Sequence, residues 1–210
     1  LLSGVWLGDY DAYTLAKGIG YPVFLVLAKK LCLPYSMLLA LLQAVGSWLF
    51  VRALSVRWKN PYGQTLLYLL LLFSPISLTQ LVTQRLYRMA IVPGMVLVVF
   101  SGMIGLTLRK ELPLKKQLPW AVLTGVALAF FWQIREDSVW ILPFIAVMTV
   151  WNVGYVILAL HKNRTGRQLL LQCLMLLLPI LLLFGGNMTI SAINQVHYGV
   201  FLTNDRTEGN

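Results

Sequence analysis

Six long stretches without a charged residue alternate with short polar segments along the chain. They cover residues 31–51, 60–84, 89–108, 117–134, 138–160 and 168–204. Each is at least roughly as long as the ~20 apolar residues that a membrane-spanning helix needs. The runs are rich in leucine and lack the alternation of a strand, and backbone groups in lipid must be bonded within the span. The pattern therefore predicts an all-α, polytopic transmembrane helical bundle.

The polar segments divide this bundle into parts. We predict an external loop over 1–20, an interfacial helix over 21–33, a transmembrane core over 34–194 and the start of an external segment over 195–210. About six spans make up the core, over 34–52, 61–83, 89–108, 118–134, 138–160 and 168–190. Lys29 and Lys30 interrupt the apolar stretch after Tyr21, which suits a short helix lying at the membrane surface. A chain that opens in an external loop needs a preceding span, so we expect it to continue beyond both ends. Prolines within the predicted spans, at positions 75, 93, 143 and 179, predict kinks or breaks.

Composition and charge support a membrane protein. Hydrophobic residues make up 59% of the chain and charged residues 11%, with a mean hydropathy of +0.76. Soluble domains are about a quarter charged. The net charge of +10 comes largely from three short connections, which contain Arg52, Arg57 and Lys59; Arg109, Lys110, Lys115 and Lys116; and Lys162, Arg164 and Arg167. The positive-inside rule places these connections in the cytoplasm, so we predict no nucleic-acid partner.

The other connections carry both signs of charge. Of the seven acidic residues, only Glu111 falls in a cytoplasmic connection; the external ones are Asp9, Asp11, Glu136, Asp137, Asp205 and Glu208. The external basic residues are Lys17, Lys29, Lys30, Arg85, Arg88, Arg135 and Arg206. Charged residues held at the edge of a bilayer are by default candidates for a functional site.

Three external stretches carry these candidates. In "GDYDAYTLAKGIGYP", Asp9 and Asp11 precede a turn whose glycines permit tight backbone geometry; the alternative is a solvated loop. In "QRLYRMA", Arg85 and Arg88 share a helical face and suit a phosphate, which arginine grips with paired donors. The alternative there is contact with lipid headgroups.

The third stretch is "FWQIREDSVW", where Arg135, Glu136 and Asp137 form a charge cluster between two spans. A capped hairpin is the alternative to a functional site, with Asp137 or Ser138 as the N-cap of the next helix. His197, in "NQVHYGVF", lies beyond the last span, where a lone histidine is more often an interface residue than a catalyst.

In this order, these stretches resemble the external elements of the GT-C membrane glycosyltransferases of the family 39 type. These include relatives of the protein O-mannosyltransferases and of the lipid A aminoarabinose transferases. "WLGDYDAYTLAKGIGYPVFL" is similar to their first external loop and the interfacial helix after it, whereas "QRLYRMAIVPG" and "REDSVWILPF" are similar to later external elements. Many relatives carry Asp-Glu or Asp-Asp in the first loop, where this chain has Asp9-Tyr-Asp11, so the resemblance does not say which aspartate takes the catalytic position.

The resemblance implies an enzyme of the bacterial inner membrane that moves a sugar from a polyprenyl-phosphate carrier to an acceptor on the external face. Asp11 or Asp9 would be the general base. The leaving phosphate needs cations, for which Arg85, Arg88 and Lys17 are the candidates and Arg135 a further one. Contacts to the sugar or acceptor would come from Glu136, Tyr21 and His197. Some relatives need a divalent cation, and two aspartates supply suitable oxygen ligands; with no further ligand in the sequence, we predict no metal site.

Two other classes of protein fit the same hydropathy pattern. A transporter would also have helices broken by proline, with Gln43, Gln80, Gln172 and Asn187 as candidate lining residues. Transporters usually place ionisable groups near the bilayer midplane, however, and the span centres here are almost free of charge. A non-enzymatic assembly subunit would use its external charges to pair with a partner.

Overall fold

The structure is a computed structural model that describes residues 6–7, 14–78, 87–135, 137–160 and 166–204. In chain order, these residues form α1 (Gly20–Lys30), α2 (Tyr35–Leu54), α3 (Pro61–Leu72), α4 (Pro75–Leu78), α5 (Val92–Leu108), α6 (Leu114–Trp132), α7 (Leu142–Leu160) and α8 (Gly166–Tyr198). Short 3-10 turns, Arg88–Ile91 and Ser138–Ile141, lead into α5 and α7. The described residues contain no strand, so the all-α prediction is confirmed.

Within the described ranges, four helical segments are long and apolar enough to cross a membrane: Tyr35–Leu54, Arg88–Leu108, Ser138–Leu158 and Gly166–Tyr198. The sequence predicts about six spans. The fifth candidate, α6, has 19 residues, but Lys115 and Lys116 in its first turn make it more polar than the four. α1 forms within the predicted range of the interfacial helix and ends at Lys30; its place at a membrane surface stays a prediction.

The predicted span over 61–83 is not one continuous helix within its described part, and the break that Pro75 predicts is confirmed. α3 ends at Leu72, and α4 begins at Pro75 after a break at Phe73 and Ser74. Proline has no N–H to donate and clashes with the carbonyl four residues earlier, here that of Leu71. The Gln43 side-chain Nε2 donates to this same carbonyl oxygen at 2.8 Å. An amide from α2 thus satisfies the acceptor at the break.

Prolines at the starts of helices leave the other spans intact. Pro93 and Pro143 are each the second residue of an α-helix, directly after a 3-10 turn, where a missing N–H costs nothing. Pro179 alone of the four predicted positions lies in a helix interior, buried in α8. At 33 residues, α8 is about 50 Å long, which exceeds the ~30 Å hydrocarbon core. Its last turns therefore extend past the predicted span end at residue 190.

The helices pack around α5, which contacts α2 on one side and α6 on the other, and α6 in turn packs against α8. α5 and α2 approach closely at Gly46, whose Cβ, if present, would lie 3.2 Å from the Gly94 carbonyl oxygen. Small residues of this kind allow membrane helices to pack tightly. The main core cluster joins Phe131, Ile134 and Ile141 to the buried residues of α1, α2 and α5.

The bundle has two ends with different chemistry. At one, called here the Lys17 end, α1, α2, α5 and α7 begin and α6 and α8 finish. At the other, the Arg109 end, α2 and α5 finish, and their last turns meet around Arg109. The sequence places the Lys17 end outside the cell and the Arg109 end in the cytoplasm; this orientation stays a prediction.

Arg109 ties the Arg109 end together, a role that the sequence did not predict. Its guanidinium donates to the carbonyl oxygens of Ala53 at 3.2 Å, Gly105 at 3.1 Å and Arg52 at 3.0 Å. It also lies 4.3 Å from the centroid of the Trp120 ring and is 8% exposed. Burial, and to a lesser extent the charge of Arg52, lower the pKa of Arg109. The cation therefore caps the unpaired carbonyls of two helix ends.

Candidate functional site

A cavity of about 410 Å³ opens at the Lys17 end of the bundle. Three of the residues predicted to bind phosphate or substrate line it: Lys17, Tyr21 and Arg88. Tyr87 and Ile134 complete the far wall, and the rest of the lining comes from Leu7, Thr14, Ala16, Gly18, Ile19 and Pro22. We call this space the Lys17 cavity. The fold thus brings residues 71 positions apart, Lys17 and Arg88, to one site.

The glycines of "KGIGYP" fix the near wall of the Lys17 cavity. Gly20 donates its backbone N–H to the Gln133 carbonyl oxygen at 2.9 Å. A Cβ on Gly18 would lie 2.3 Å from that oxygen, and one on Gly20 would lie 2.8 Å from it. Real Cβ atoms essentially never come so close to a backbone oxygen, so only glycine lets this turn lie against the end of α6. The side chain of Gln133 continues the connection by donating to Asn187 Oδ1 of α8 at 2.7 Å.

Tyrosines hold the opposite wall. The Tyr35 hydroxyl donates to the Tyr87 carbonyl oxygen at 2.9 Å, which fixes the residue that precedes Arg88. The rings of Tyr21 and Tyr35 meet edge to face, with centroids 6.4 Å apart. The Tyr21 hydroxyl oxygen is buried and makes no hydrogen bond of ordinary geometry with the described residues. It is therefore a candidate donor or acceptor for a ligand in the Lys17 cavity.

The lining of the Lys17 cavity is electrically one-sided. It contains the cations of Lys17 and Arg88, and none of the described lining residues is acidic. Two helical segments also begin at its wall, since Ile19 precedes α1 and Tyr87 precedes the 3-10 turn into α5. Neither start has a side-chain cap. Helix starts favour anions. Because two helix starts and two cations lie at the wall of the Lys17 cavity, its lining favours an anionic ligand.

The last turns of α8 hold the chain just before the predicted aspartates. Trp6 Nε1 donates to Asn194 Oδ1 at 2.9 Å, and the Leu7 backbone N–H donates to the Tyr198 hydroxyl at 3.0 Å. Asn194 Nδ2 donates in turn to the Leu202 carbonyl oxygen at 2.7 Å. We call this set of contacts the α8 latch. No local pattern predicts this latch, because Trp6 and Asn194 are 188 residues apart.

Asp9 and Asp11, the predicted general bases, lie outside the described residues, as do Arg85 and Glu136. Leu7 and Thr14, the nearest described neighbours of the two aspartates on either side, both line the Lys17 cavity. No three His, Cys, Asp or Glu side chains of the described residues are grouped as metal ligands. With Asp9 and Asp11 outside that set, a divalent cation at this end is neither supported nor opposed.

Arg135 and His197 are near this end but are not lining residues of the Lys17 cavity. Arg135 pairs with Asp137, with Nε 2.6 Å from Oδ1 and a second contact between Nη2 and Oδ2. Asp137 is the N-cap residue of the following 3-10 turn, as predicted, but its side chain accepts no hydrogen bond from the backbone of that turn. Ser138 instead donates its hydroxyl to the Arg135 carbonyl oxygen at 2.8 Å. His197 stacks on Trp6, with ring centroids 6.0 Å apart.

The polar residues considered for a transport path have structural partners. Gln43 donates to the Leu71 carbonyl oxygen at the break after α3. Gln172 donates to the Lys110 carbonyl oxygen, which also accepts a hydrogen bond from Gln117. Asn187 accepts from Gln133, and Gln80 lies outside the described residues. These amides connect helices to one another, which is a common use of such side chains in membrane proteins.

Comparisons with protein-family models, with curated proteins and with solved structures give no match to this chain.

Proposed function

We propose that this protein is a membrane glycosyltransferase that moves a sugar from a polyprenyl-phosphate carrier to an acceptor at the Lys17 end of the bundle. One observation carries the proposal. The Lys17 cavity brings Lys17 and Arg88 together, and the segment with Asp9 and Asp11 is joined at both ends to residues of the cavity wall.

The position of Arg88 supports an anionic ligand. Arg88 begins a helical span, where the partial positive charge of the helix start disfavours a cation. Lys17 lines the same cavity and adds a like charge. An anion bound between them would offset both effects, and a phosphate suits the paired donors of a guanidinium. The volume of about 410 Å³ fits a headgroup-sized ligand, since small-molecule pockets span roughly 300–1,000 Å³.

The aspartates supply the base that the reaction needs. The acceptor oxygen or nitrogen attacks the anomeric carbon and passes its proton to a carboxylate, while the carrier phosphate leaves with the electrons of the broken C–O bond. Asp9 is two residues from Leu7 and Asp11 three from Thr14, so an extended chain spans at most about 7 Å and 11 Å, respectively. The chain therefore connects both aspartates to the cavity wall over a short distance, which supports one of them as the base.

The first arm of the test measures binding of a polyprenyl phosphate to the purified protein in neutral detergent. We expect Lys17→Gln/Arg88→Gln to weaken binding at least about tenfold, since two charge-assisted contacts are lost. The matched control is Lys29→Gln/Lys30→Gln, which removes the same charge from exposed positions of α1 outside the cavity. Equal loss in the two double variants would contradict a specific phosphate site.

The second arm follows sugar transfer from the same carrier. Asp9→Asn or Asp11→Asn should abolish transfer while carrier binding persists, because an amide cannot accept the proton. Normal transfer in both variants would remove the proposed base. Carrier binding without transfer in the parent protein would favour a lipid-carrier transporter instead.

A further inference from the structure

A second polar cleft lies at the Arg109 end, between the last turns of α2 and the first turns of α3. Its volume is about 330 Å³. Arg52, Ser55, Gln64, Thr65 and Tyr68 supply its polar groups, and the remaining lining is Trp48, Val51 and Pro61. We call it the Arg52 cleft. It is separate from the Lys17 cavity, with which it shares no lining residue.

Arg52 faces this cleft with a guanidinium that the described residues do not use. Its backbone carbonyl accepts from Arg109 and from Ser55, so the end of α2 is capped without the Arg52 side chain. Among the described residues, no hydrogen bond or ion pair reaches the guanidinium, whose one electrostatic neighbour is the cation of Arg109. No described lining residue of the cleft is acidic. Arg52 is exposed at the cleft, so its five donors are available to an anion, which the second positive charge nearby would also attract.

The polar side of the cleft offers a second anchor for such an anion. The Tyr68 hydroxyl makes no hydrogen bond with the described residues and is free to donate. The Thr65 hydroxyl donates to the Pro61 carbonyl oxygen at 3.0 Å and therefore stays oriented at the cleft wall. A phosphodiester, with two free oxygens, matches a guanidinium on one side and a phenol on the other.

The apolar side of the cleft continues along the surface of a span. Trp48 is 56% exposed, and the exposed Val45 and Leu41 lie three and seven residues before it on the same face of α2. Tryptophan and tyrosine at the end of a span are typical of the membrane–water interface. A ligand with its phosphate at Arg52 would therefore lay an acyl chain along Trp48, Val45 and Leu41.

From these observations, we propose that the Arg52 cleft binds an anionic phospholipid by its phosphodiester. The chemistry distinguishes this lipid from a zwitterionic one with the same phosphate. Arg52 lines the cleft and Arg109 adds a second positive charge near it, and this charge repels a choline group but not a glycerol headgroup. The inference is independent of the proposed transferase, because it concerns the opposite end of the bundle.

Native mass spectrometry of the protein in neutral detergent tests this site, with dioleoyl phosphatidylglycerol and dioleoyl phosphatidylcholine as probes. We expect one phosphatidylglycerol to bind roughly five- to tenfold more tightly than phosphatidylcholine, and Arg52→Gln to remove that difference. The matched control, Lys59→Gln, removes the same charge from the same end without touching the cleft, and should keep the preference. Excess inorganic phosphate should not displace the lipid.

Three results would overturn the proposal. These are equal affinities for the two lipids, equal losses in Arg52→Gln and Lys59→Gln, and displacement by inorganic phosphate alone. Because the Arg52 side chain has no hydrogen-bond partner among the described residues, its variant should melt at the parent temperature. If Arg52→Gln melts at a lower temperature, Tyr68→Phe is the second test of the site. Tyr68→Phe should weaken phosphatidylglycerol binding, and an unchanged affinity would also count against the site.

Discussion

Arg88 and Arg109 flank the same membrane-length helical segment and meet opposite surroundings. Arg88 begins the segment and faces the Lys17 cavity beside a second cation. Arg109 follows its last residue and is buried against the carbonyls that finish α2 and α5. At a helix C-terminus a cation is favoured, whereas at the N-terminus it is disfavoured unless an anion joins it. Arg109 therefore contributes to stability, whereas Arg88 lines the cavity for which we propose a phosphate ligand.

The Lys17 end and the Arg109 end also differ in their use of glycine and aromatic residues. At the Lys17 end, Gly18 and Gly20 bring a loop against Gln133, and an open space lined in part by Lys17 and Arg88 remains beside it. At the Arg109 end, Trp120 covers Arg109 and closes the space. Three experiments test this division, in order of the effect expected.

The largest effect should come from Arg109→Ala. Removing the guanidinium leaves buried carbonyl oxygens of Ala53 and Gly105 without that donor, so the free energy of unfolding should fall by roughly 2–4 kcal/mol. Thermal unfolding in detergent measures the loss. The control Arg57→Ala removes an exposed arginine from the same end and should cost less than about 0.5 kcal/mol. Similar melting temperatures for the two variants would show that Arg109 does not hold this end together.

A smaller loss is expected from Gly18→Ala. Its Cβ would meet the Gln133 carbonyl oxygen at 2.3 Å, so the turn must move, at a cost of about 1–3 kcal/mol. Polyprenyl-phosphate binding should weaken with it, because the shift displaces Lys17. Gly185→Ala is the control: nothing lies within 4 Å of its Cβ, and alanine should stabilise α8 by up to about 1 kcal/mol. Unchanged carrier binding in Gly18→Ala would separate this turn from the site.

The smallest effect on stability should come from Tyr198→Phe, which removes one partner from the α8 latch. Loss of the bond to the Leu7 N–H should cost about 0.5–1.5 kcal/mol. If the latch positions the aspartate segment, transfer should slow by about tenfold while carrier binding stays unchanged. Tyr62→Phe, at an 86% exposed position of the other end, should alter neither. A parallel loss of binding and transfer would indicate a structural effect instead of a positioning one.

Local patterns predicted the helices well where the apolar runs were long. The run over 34–52 became α2, Tyr35–Leu54, and the run over 89–108 became the segment Arg88–Leu108. For proline, the predicted break is confirmed at Pro75, but the predictions for Pro93 and Pro143 were wrong. Pro93 and Pro143 were expected to disturb spans, yet each lies in the first turn of a helix, where proline is tolerated. The residue at which a helix begins decides this, and a hydropathy pattern does not fix that residue.

The candidate site was predictable as a set of residue types but not as a set of neighbours. Scarce external charges pointed to Lys17 and Arg88, and the structure places both at one cavity. The same reasoning included Arg135 and His197, which interact with Asp137 and Trp6 instead. It missed Tyr87, Gln133 and the α8 latch, whose contribution depends on contacts between distant segments.

The amino-acid sequence by itself determined that this chain forms apolar helices, because hydropathy and the absence of charge act within each segment. Only the tertiary structure decided that Arg109 stabilises the fold and that Arg88 lines a cavity. Arg88 and Arg109 are the same residue type at the two ends of one helical segment. The run over 89–108 already shows which arginine lies at which end of the helix dipole. The segments packed beside each arginine come from distant parts of the chain, so only the tertiary structure decides them.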